Sequence, residues 1–211
     1  MKEKEYFFIK IKNYLDKQGL CLDDILWDKI WSYFNCLNRV NRNKNLVSNN
    51  VELDAKIEMF CDSFFAAIYI ANNCFCSDIY DIGSGAGFPG IIIALVNSDK
   101  CVYLVESSRK KCSFLLLVKT MLKIDNLVVI NDRVENINNK QFIISKAAFS
   151  IKTINCLKNI IGKDACVVFL LTSNQLEDFR KALLVMGEFV MKVERYCTID
   201  RERYLLVADR T

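Results

Sequence analysis

The chain contains the stretch Tyr80-Asp81-Ile82-Gly83-Ser84-Gly85-Ala86-Gly87-Phe88-Pro89-Gly90, in which glycines interrupt an apolar run that resumes as Ile91-Ile92-Ile93-Ala94-Leu95. This pattern predicts a β-strand, a tight glycine loop and an α-helix in succession. In an open α/β sheet such a junction lies at the carboxyl end of a strand, where ligands bind, and glycines let the backbone approach a nucleotide-like ligand. The loop therefore indicates a cofactor site. The alternative is that the glycines only let the helix pack closely on the strand.

Beyond residue 78, short β-rich runs alternate with helical patterns, which predicts βαβ units and a parallel sheet covered by helices on both faces. The predicted strands span residues 79–82, 101–105, 127–130, 142–145 and 165–171. Two more, at 189–196 and 204–208, leave no room for a crossover helix between them, so the last strand is expected to run antiparallel. Gly162 and Gly187 fall where helices are expected to stop. The predicted fold class is α/β, with a Rossmann-like sheet.

The N-terminal third of the chain has a helical pattern. Apolar stripes at helical spacing occupy residues 7–15, 22–37 and 57–68, and the pair Asp23-Asp24 opens the second stripe. The asparagine-rich segment 41–50 predicts a loop around a short buried Leu46-Val47. We expect an N-terminal helical extension over residues 1–72, packed on a main domain over residues 73–211.

Composition limits the class of protein. The 211 residues, 52% hydrophobic and 26% charged, are sufficient for one substantial core, and the net charge of +4 permits an acidic partner such as RNA. Ten scattered cysteines without a CxxC pair, together with the lack of histidine, predict reduced thiols and no metal site. No apolar run reaches the roughly 20 residues of a membrane span, and the N-terminus lacks a signal-peptide pattern. We expect a soluble, cytoplasmic monomer with no membrane partner.

Two glycine spacings fit the loop, and they point to different cofactors. Residues 85–90 satisfy the dinucleotide pattern G-x-G-x-x-G, whereas residues 81–87 form the acidic-x-G-x-G-x-G pattern that resembles motif I of S-adenosylmethionine-dependent methyltransferases. A carboxylate at Asp81 would repel a pyrophosphate, but it suits the cationic, amino-bearing end of S-adenosylmethionine. Glu106 follows the next predicted strand and can accept both ribose hydroxyls of either cofactor. The glycine spacing and the acid within the loop favour S-adenosylmethionine, and the expected antiparallel last strand resembles the ending of the methyltransferase fold.

The segment from Asp81 to Gly90 resembles the signature of the ribosomal RNA small-subunit methyltransferase G family, also called glucose-inhibited division protein B. Its Phe88-Pro89-Gly90 tail makes the match specific, because generic methyltransferases share the glycines and seldom this tail. Further similarity lies in Asn45-Leu46-Val47-Ser48, Asp62-Ser63-Phe64, Glu106-Ser107-Ser108-Arg109-Lys110-Lys111, Asp132-Arg133-Val134-Glu135 and Ser145-Lys146-Ala147. The resemblance implies the S-adenosylmethionine-dependent methyltransferase fold, with a mostly parallel seven-stranded sheet, an antiparallel last strand and preceding helices.

The resemblance also implies an activity, the methylation of N7 of a specific guanosine in the 16S ribosomal RNA of the small subunit. N7 carries a lone pair and no proton, so a site without histidine is no handicap. The implied cofactor-binding residues are Asp81, Gly83, Gly85, Gly87, Phe88, Glu106, Val134 and Glu135. The implied RNA-binding residues are Arg109, Lys110, Arg133 and Lys146, and Lys146 is also the candidate catalytic residue.

Three features depart from the family pattern. Met59 stands where the family commonly has histidine, Lys146 stands where it has arginine, and Leu171-Thr172-Ser173 lacks the usual following Lys-Gly. Lysine keeps the charge and loses the planar fork that binds phosphate through two hydrogen bonds. Two alternatives stay open: a cofactor-binding relic that docks on ribosomal particles without turnover, and a methyltransferase acting on another RNA or a small molecule. For Phe88 the alternative is core packing, and for Arg109 and Lys110 it is a solvated helix face.

Overall fold

The described residues of the N-terminal part of the chain form three helices. The computed structural model describes residues 2–44, 46, 52–146, 149 and 154–211. The helices are α1 (Glu3–Gln18), α2 (Asp24–Lys44) and α3 (Leu53–Asn73). Gly19 ends α1 with a left-handed φ of 70°, and the Asp23 carboxylate accepts the Leu26 N–H at 2.7 Å to begin α2.

Helix α2 is longer than the sequence pattern predicts. It continues to Lys44, into the segment predicted to be a loop, because Val40 packs against the core and continues the apolar stripe beyond Leu37. Leu46 is buried as expected, whereas Val47 lies outside the described residues.

The described residues after α3 form a seven-stranded sheet, in the order β3-β2-β1-β4-β5-β7-β6, and the helices that cover it. The strands are β1 (Asp78–Ile82), β2 (Cys101–Val105), β3 (Leu127–Ile130), β4 (Lys140–Lys146), β5 (Ile161–Leu171), β6 (Phe189–Cys197) and β7 (Glu202–Arg210). Strands β1 to β5 pair in parallel, and β7 is antiparallel to both of its neighbours, β5 and β6. The predicted mostly parallel sheet with an antiparallel last strand is confirmed.

Helices cover both faces of the sheet. They are α4 (Gly90–Val96), α5 (Arg109–Leu122), α6 (Leu157–Ile160) and α7 (Ser173–Met186). Gly187 ends α7 in the left-handed conformation, as predicted. The prediction for Gly162 was wrong, because α6 ends at Ile160 and Gly162 lies within β5. A Cβ at Gly162 would lie 2.6 Å from Nε2 of Gln141 and 2.9 Å from Oδ1 of Asn139, so the glycine leaves room for these two side chains.

Two hydrophobic layers hold the helices on the sheet. Helices α1 to α5 share one layer, in which Phe7, Phe34 and Phe60 are fully buried, and α6 and α7 pack on the other face around Phe169. The N-terminal helices thus share a core with the sheet, and the division at residues 72 and 73 stays a prediction. No helix in the described part of the chain is long and apolar enough to cross a membrane.

Candidate functional site

The glycine loop follows β1 and turns over the end of β2. The N–H groups of Gly83 and Ser84 both donate to the carbonyl of Val105, at 2.8 and 3.2 Å. Gly85 has a φ of 59°, and a Cβ placed there would meet only the Gly83 carbonyl, at 3.8 Å. A left-handed backbone with free space beside it is the geometry that lets a ligand approach the main chain.

Glu106 lies at the carboxyl end of β2 and joins two loops. One carboxylate oxygen accepts the Gly85 N–H at 3.0 Å, and the other accepts the Ser108 N–H at 2.8 Å. The residue is 7% exposed. An ionised carboxylate has about four acceptor positions, so these two bonds leave further capacity for ligand hydroxyls.

A cavity of about 550 Å³ opens beside the loop. It is lined by Ile82, Gly83, Val105, Glu106, Ser107, Lys111, Asp132, Arg133, Val134, Glu135 and Phe149. Five of the residues singled out in the sequence therefore meet at one site: Gly83, Glu106, Arg133, Val134 and Glu135. Its volume is typical of pockets that hold a small-molecule ligand.

The wall opposite the glycine loop follows β3. Asn131 donates to the carbonyls of Glu106 and Ser107, at 3.0 and 3.1 Å, and so ties this wall to the end of β2. Asp132 accepts the Arg133 N–H at 2.8 Å and begins the short 3₁₀ turn Val134–Asn136. These bonds fix Val134 and Glu135 at the rim of the cavity.

Asp81 lies beneath the loop and is absent from the cavity lining. It is fully buried, and one carboxylate oxygen accepts the Gly90 N–H at 3.0 Å. The other oxygen, Oδ1, has no hydrogen-bond partner among the described residues. Burial raises the pKa of Asp81 to about 7, and the Gly90 hydrogen bond opposes part of that rise.

Gly87 and Phe88 also face the core. A Cβ at Gly87 would lie 2.2 Å from Cδ1 of Ile91, so this glycine is required by packing. The Phe88 ring packs against Tyr33 and Phe60, with centroids 5.2 and 5.0 Å apart, and the residue is 5% exposed. The structure therefore places Phe88 in the core instead of on the cavity wall that the family resemblance implied.

Lys146 ends β4 at the same edge of the sheet as the glycine loop, but it does not line the cavity. Its Nζ lies 2.6 Å from Oδ2 of Asp62, a residue that is 2% exposed. Oδ1 of Asp62 accepts the Tyr196 hydroxyl at 3.1 Å and lies 3.6 Å from Nε of Arg203. Two cations share one buried carboxylate, which leaves this cluster with a net positive charge.

Two basic residues, Lys111 and Arg133, line the cavity. Arg109 and Lys110 are exposed in the first turn of α5. Cations at a helix N-terminus oppose the helix dipole, so their clustering here costs free energy that a bound anion would offset. The sequence analysis did not predict four residues of the site: Lys111, Ser107, Asn131 and Phe149. Lys111 belongs to the same basic run as the predicted residues Arg109 and Lys110.

Comparison with known proteins adds a family to this geometry. The family model described as rRNA small subunit methyltransferase G matches residues 27–201. A Fusobacterium nucleatum protein named Ribosomal RNA small subunit methyltransferase G is 37% identical over 134 residues, which are 64% of this chain and 55% of that protein. The protein of the same name from Aliarcobacter butzleri is 29% identical over 188 residues, covering 88% of this chain and 95% of the relative. The match thus spans about half of the first relative and nearly all of the second.

Solved structures agree on the fold. Magnesium protoporphyrin IX methyltransferase from Synechocystis PCC 6803, determined with bound SAM, superposes with a TM-score of 0.63 at 15% identity, covering 90% of this chain and 99% of the other. The ribosomal protein L11 methylase from Lactobacillus delbrueckii gives a TM-score of 0.57 at 15% identity, with coverages of 74% and 80%. At these identities the likeness establishes the methyltransferase fold alone.

Proposed function

Since the chain belongs to the rRNA small subunit methyltransferase G family, we propose that it transfers a methyl group from S-adenosylmethionine to N7 of one guanosine in 16S ribosomal RNA. The family resemblance predicted from the glycine loop and its Phe88-Pro89-Gly90 tail is confirmed by the match over residues 27–201. The nucleobase atom and the RNA acceptor are the parts of this function that we propose.

The position of Glu106 in the cavity is the observation that supports the proposal most directly. Its carboxylate lines the cavity between the glycine loop and the wall after β3, and it has acceptor capacity beyond its two backbone bonds. A carboxylate at the end of the second strand suits the vicinal hydroxyls of a ribose. Val134 and Glu135 then border the adenine, and Gly83 and Gly85 give the rest of the cofactor access to the main chain.

Asp81 acts from beneath the loop. Its buried carboxylate accepts the Gly90 N–H, and its other oxygen has no hydrogen-bond partner in the part of the chain that the structure describes, so an ionised Asp81 supplies negative charge directly behind the loop. This charge favours the cationic end of S-adenosylmethionine through the backbone, without a direct contact.

The residues of the site suit a reaction that needs no base. When bound, S-adenosylmethionine supplies a methyl group activated by its cationic sulfur. N7 of guanine offers a lone pair and loses no proton, so the protein must align the base and exclude water. The chain has no histidine, and this reaction does not require one.

Arg133 lies at the cavity, Arg109 and Lys110 are exposed in the first turn of the helix that carries Lys111, and Lys146 ends β4 at the same edge of the sheet. We assign these four residues to the phosphates of the RNA, because lysine and arginine bind the backbone without reading its sequence. The acceptor is the small ribosomal subunit, which a single copy of the chain meets in the cytoplasm.

The test uses small ribosomal subunits that lack the modification. Purified protein and labelled S-adenosylmethionine should label the 16S RNA at one position, and cleavage selective for N7-methylguanosine should map it. Cofactor binding without transfer to subunits or to RNA would indicate a relic, and transfer to another acceptor would replace the proposed substrate.

A further inference from the structure

A tyrosine of the N-terminal helices reaches the glycine loop. The hydroxyl of Tyr33, on α2, donates to the carbonyl of Ala86 at 2.6 Å, and the whole side chain is buried. Burial raises the pKa of Tyr33 well above its ordinary value, and the nearby Asp81 carboxylate adds to the rise. The hydroxyl therefore keeps its proton and acts as a donor.

The ring of Tyr33 holds the same part of the loop. It stacks on Phe88 with centroids 5.2 Å apart and an interplanar angle of 30°. A Cβ at Gly87 would lie 2.9 Å from the Tyr33 hydroxyl oxygen, so the loop approaches the tyrosine as closely as a glycine permits. One side chain thus contacts three consecutive residues, Ala86, Gly87 and Phe88.

Three side chains from three elements each bind one backbone group of the loop. Glu106 at the end of β2 accepts the Gly85 N–H, Asp81 of β1 accepts the Gly90 N–H, and Tyr33 of α2 donates to the Ala86 carbonyl. The two acids belong to the sheet that carries the loop. Tyr33 is separated from its partner by 53 residues and belongs to the helices that precede the sheet.

We propose that Tyr33 is a positioning residue, which holds residues 85–90 in the shape that binds the cofactor and makes cofactor affinity depend on the N-terminal helices. The inference rests on the proposed function, because it takes the loop as the cofactor site. Tyr33 lines no part of the cavity, so its effect on the cofactor acts through the backbone of the loop.

Tyr14 provides a matched control. It is also buried and on a neighbouring helix, but its hydroxyl has no hydrogen-bond partner among the residues that the structure describes. Tyr14→Phe and Tyr33→Phe therefore remove the same atom from the same layer of the core. Only Tyr33→Phe leaves a loop carbonyl without its donor.

The experiment compares the two variants by titration calorimetry with S-adenosylmethionine. We expect Tyr33→Phe to weaken cofactor binding by about five- to thirtyfold, because a buried acceptor is left unpaired, and Tyr14→Phe to bind within twofold of wild type. In the methylation assay Tyr33→Phe should raise KM for the cofactor and leave kcat at saturation nearly unchanged. Wild-type affinity in Tyr33→Phe, or equal losses in both variants, would overturn the inference.

Hydrogen exchange of the unmodified protein gives a second test that does not depend on how a variant folds. Saturating S-adenosylmethionine should slow exchange in the peptide of α2 that contains Tyr33 as well as in the loop. Protection of the loop with no change in α2 would contradict the coupling. If wild type binds no cofactor at all, the proposed function fails. If wild type binds the cofactor tightly and Tyr33→Phe binds it equally well, only the inference about Tyr33 fails.

Discussion

Oε2 of Glu106 lies 3.0 Å from the backbone nitrogen of Gly85, so the acid at the end of β2 holds the glycine loop that follows β1. Its second oxygen binds the Ser108 N–H at the start of α5. One carboxylate therefore organises both loops that border the cavity while facing the cavity itself. We propose that this residue both shapes the site and binds the ligand.

Two substitutions of Glu106 should weaken cofactor binding to different extents. Glu106→Ala is expected to weaken S-adenosylmethionine binding by about 1–3 kcal/mol, because it removes the ribose acceptor and releases two backbone donors. Glu106→Gln keeps one acceptor oxygen and should lose less. Calorimetric affinities of the two variants check this order, and unchanged affinity in Glu106→Ala would remove the residue from the site.

Two glycines of the loop should respond differently to the same added methyl group. A Cβ at Gly90 would lie 2.2 Å from Cδ2 of Leu104 and 2.6 Å from Oδ2 of Asp81, so Gly90→Ala should cost about 1–3 kcal/mol of unfolding free energy. At Gly85 the Cβ would have free space but the φ of 59° is left-handed, so Gly85→Ala should cost about 1 kcal/mol of unfolding free energy and should also lower cofactor affinity. Denaturant melts and calorimetry on both variants test this contrast, which equal effects on stability and affinity would contradict.

Stability should depend on pH through Asp81. Its pKa in the folded chain is about 7, above the ordinary value of 3.8, so the folded chain retains a proton that the unfolded chain has lost. The unfolding free energy should therefore fall as pH rises toward 7, by up to about 1.4 kcal/mol per pH unit, and level off above it. Urea melts of wild type and Asp81→Asn across this range give the comparison, and the prediction is wrong if both show the same slope.

Removing the carboxylate of Asp62 should destabilise the fold more than removing the charge of Lys146. Asp62→Ala leaves Lys146 and Arg203 without their shared partner and should cost about 3 kcal/mol of unfolding free energy. Lys146→Met should cost less, because the Tyr196 hydroxyl and Arg203 remain on Asp62. Cofactor affinity should stay at the wild-type value in Lys146→Met while methyl transfer falls. A larger loss of unfolding free energy in Lys146→Met than in Asp62→Ala would contradict this prediction.

A positive charge should support RNA binding when it lies at the cavity, and it should have no effect on RNA binding at the opposite edge of the sheet. Arg133 lies at the cavity, whereas Lys163, also exposed, lies near the amino end of β5 at the opposite edge. Arg133→Ala should weaken subunit binding and lower the slope of log K against log salt by about one, and Lys163→Ala should do neither. Equal salt slopes in the two variants would mean that Arg133 contacts no phosphate.

The sequence predicts what is encoded locally. The change from helical spacing to short β-rich runs after residue 78 predicts the strands, and Gly83 and Glu106 mark the cavity, because those signals lie in consecutive residues or at strand ends. Val134 and Glu135 were found through the family resemblance, and the structure brings them to the same cavity as Glu106.

Contacts between distant segments could not be predicted in this way. In the sequence, Tyr33 looks like one more apolar residue of α2. No local pattern indicates that its hydroxyl donates to the carbonyl of Ala86. The partner of Lys146 lies 84 residues away, and Phe88 turns to the core because Tyr33 and Phe60 form a pocket for its ring. Tertiary packing, which no single-sequence pattern contains, decides these three cases.

Methylation of small ribosomal subunits tests the central claim most directly. Subunits lacking the modification, incubated with the protein and labelled S-adenosylmethionine, should take up about one methyl group per 16S RNA, at a single guanosine that becomes sensitive to cleavage specific for N7-methylguanosine. Glu106→Ala should reduce the label at cofactor concentrations that just saturate wild type. A protein that binds the cofactor and leaves both subunits and RNA unlabelled would contradict the account.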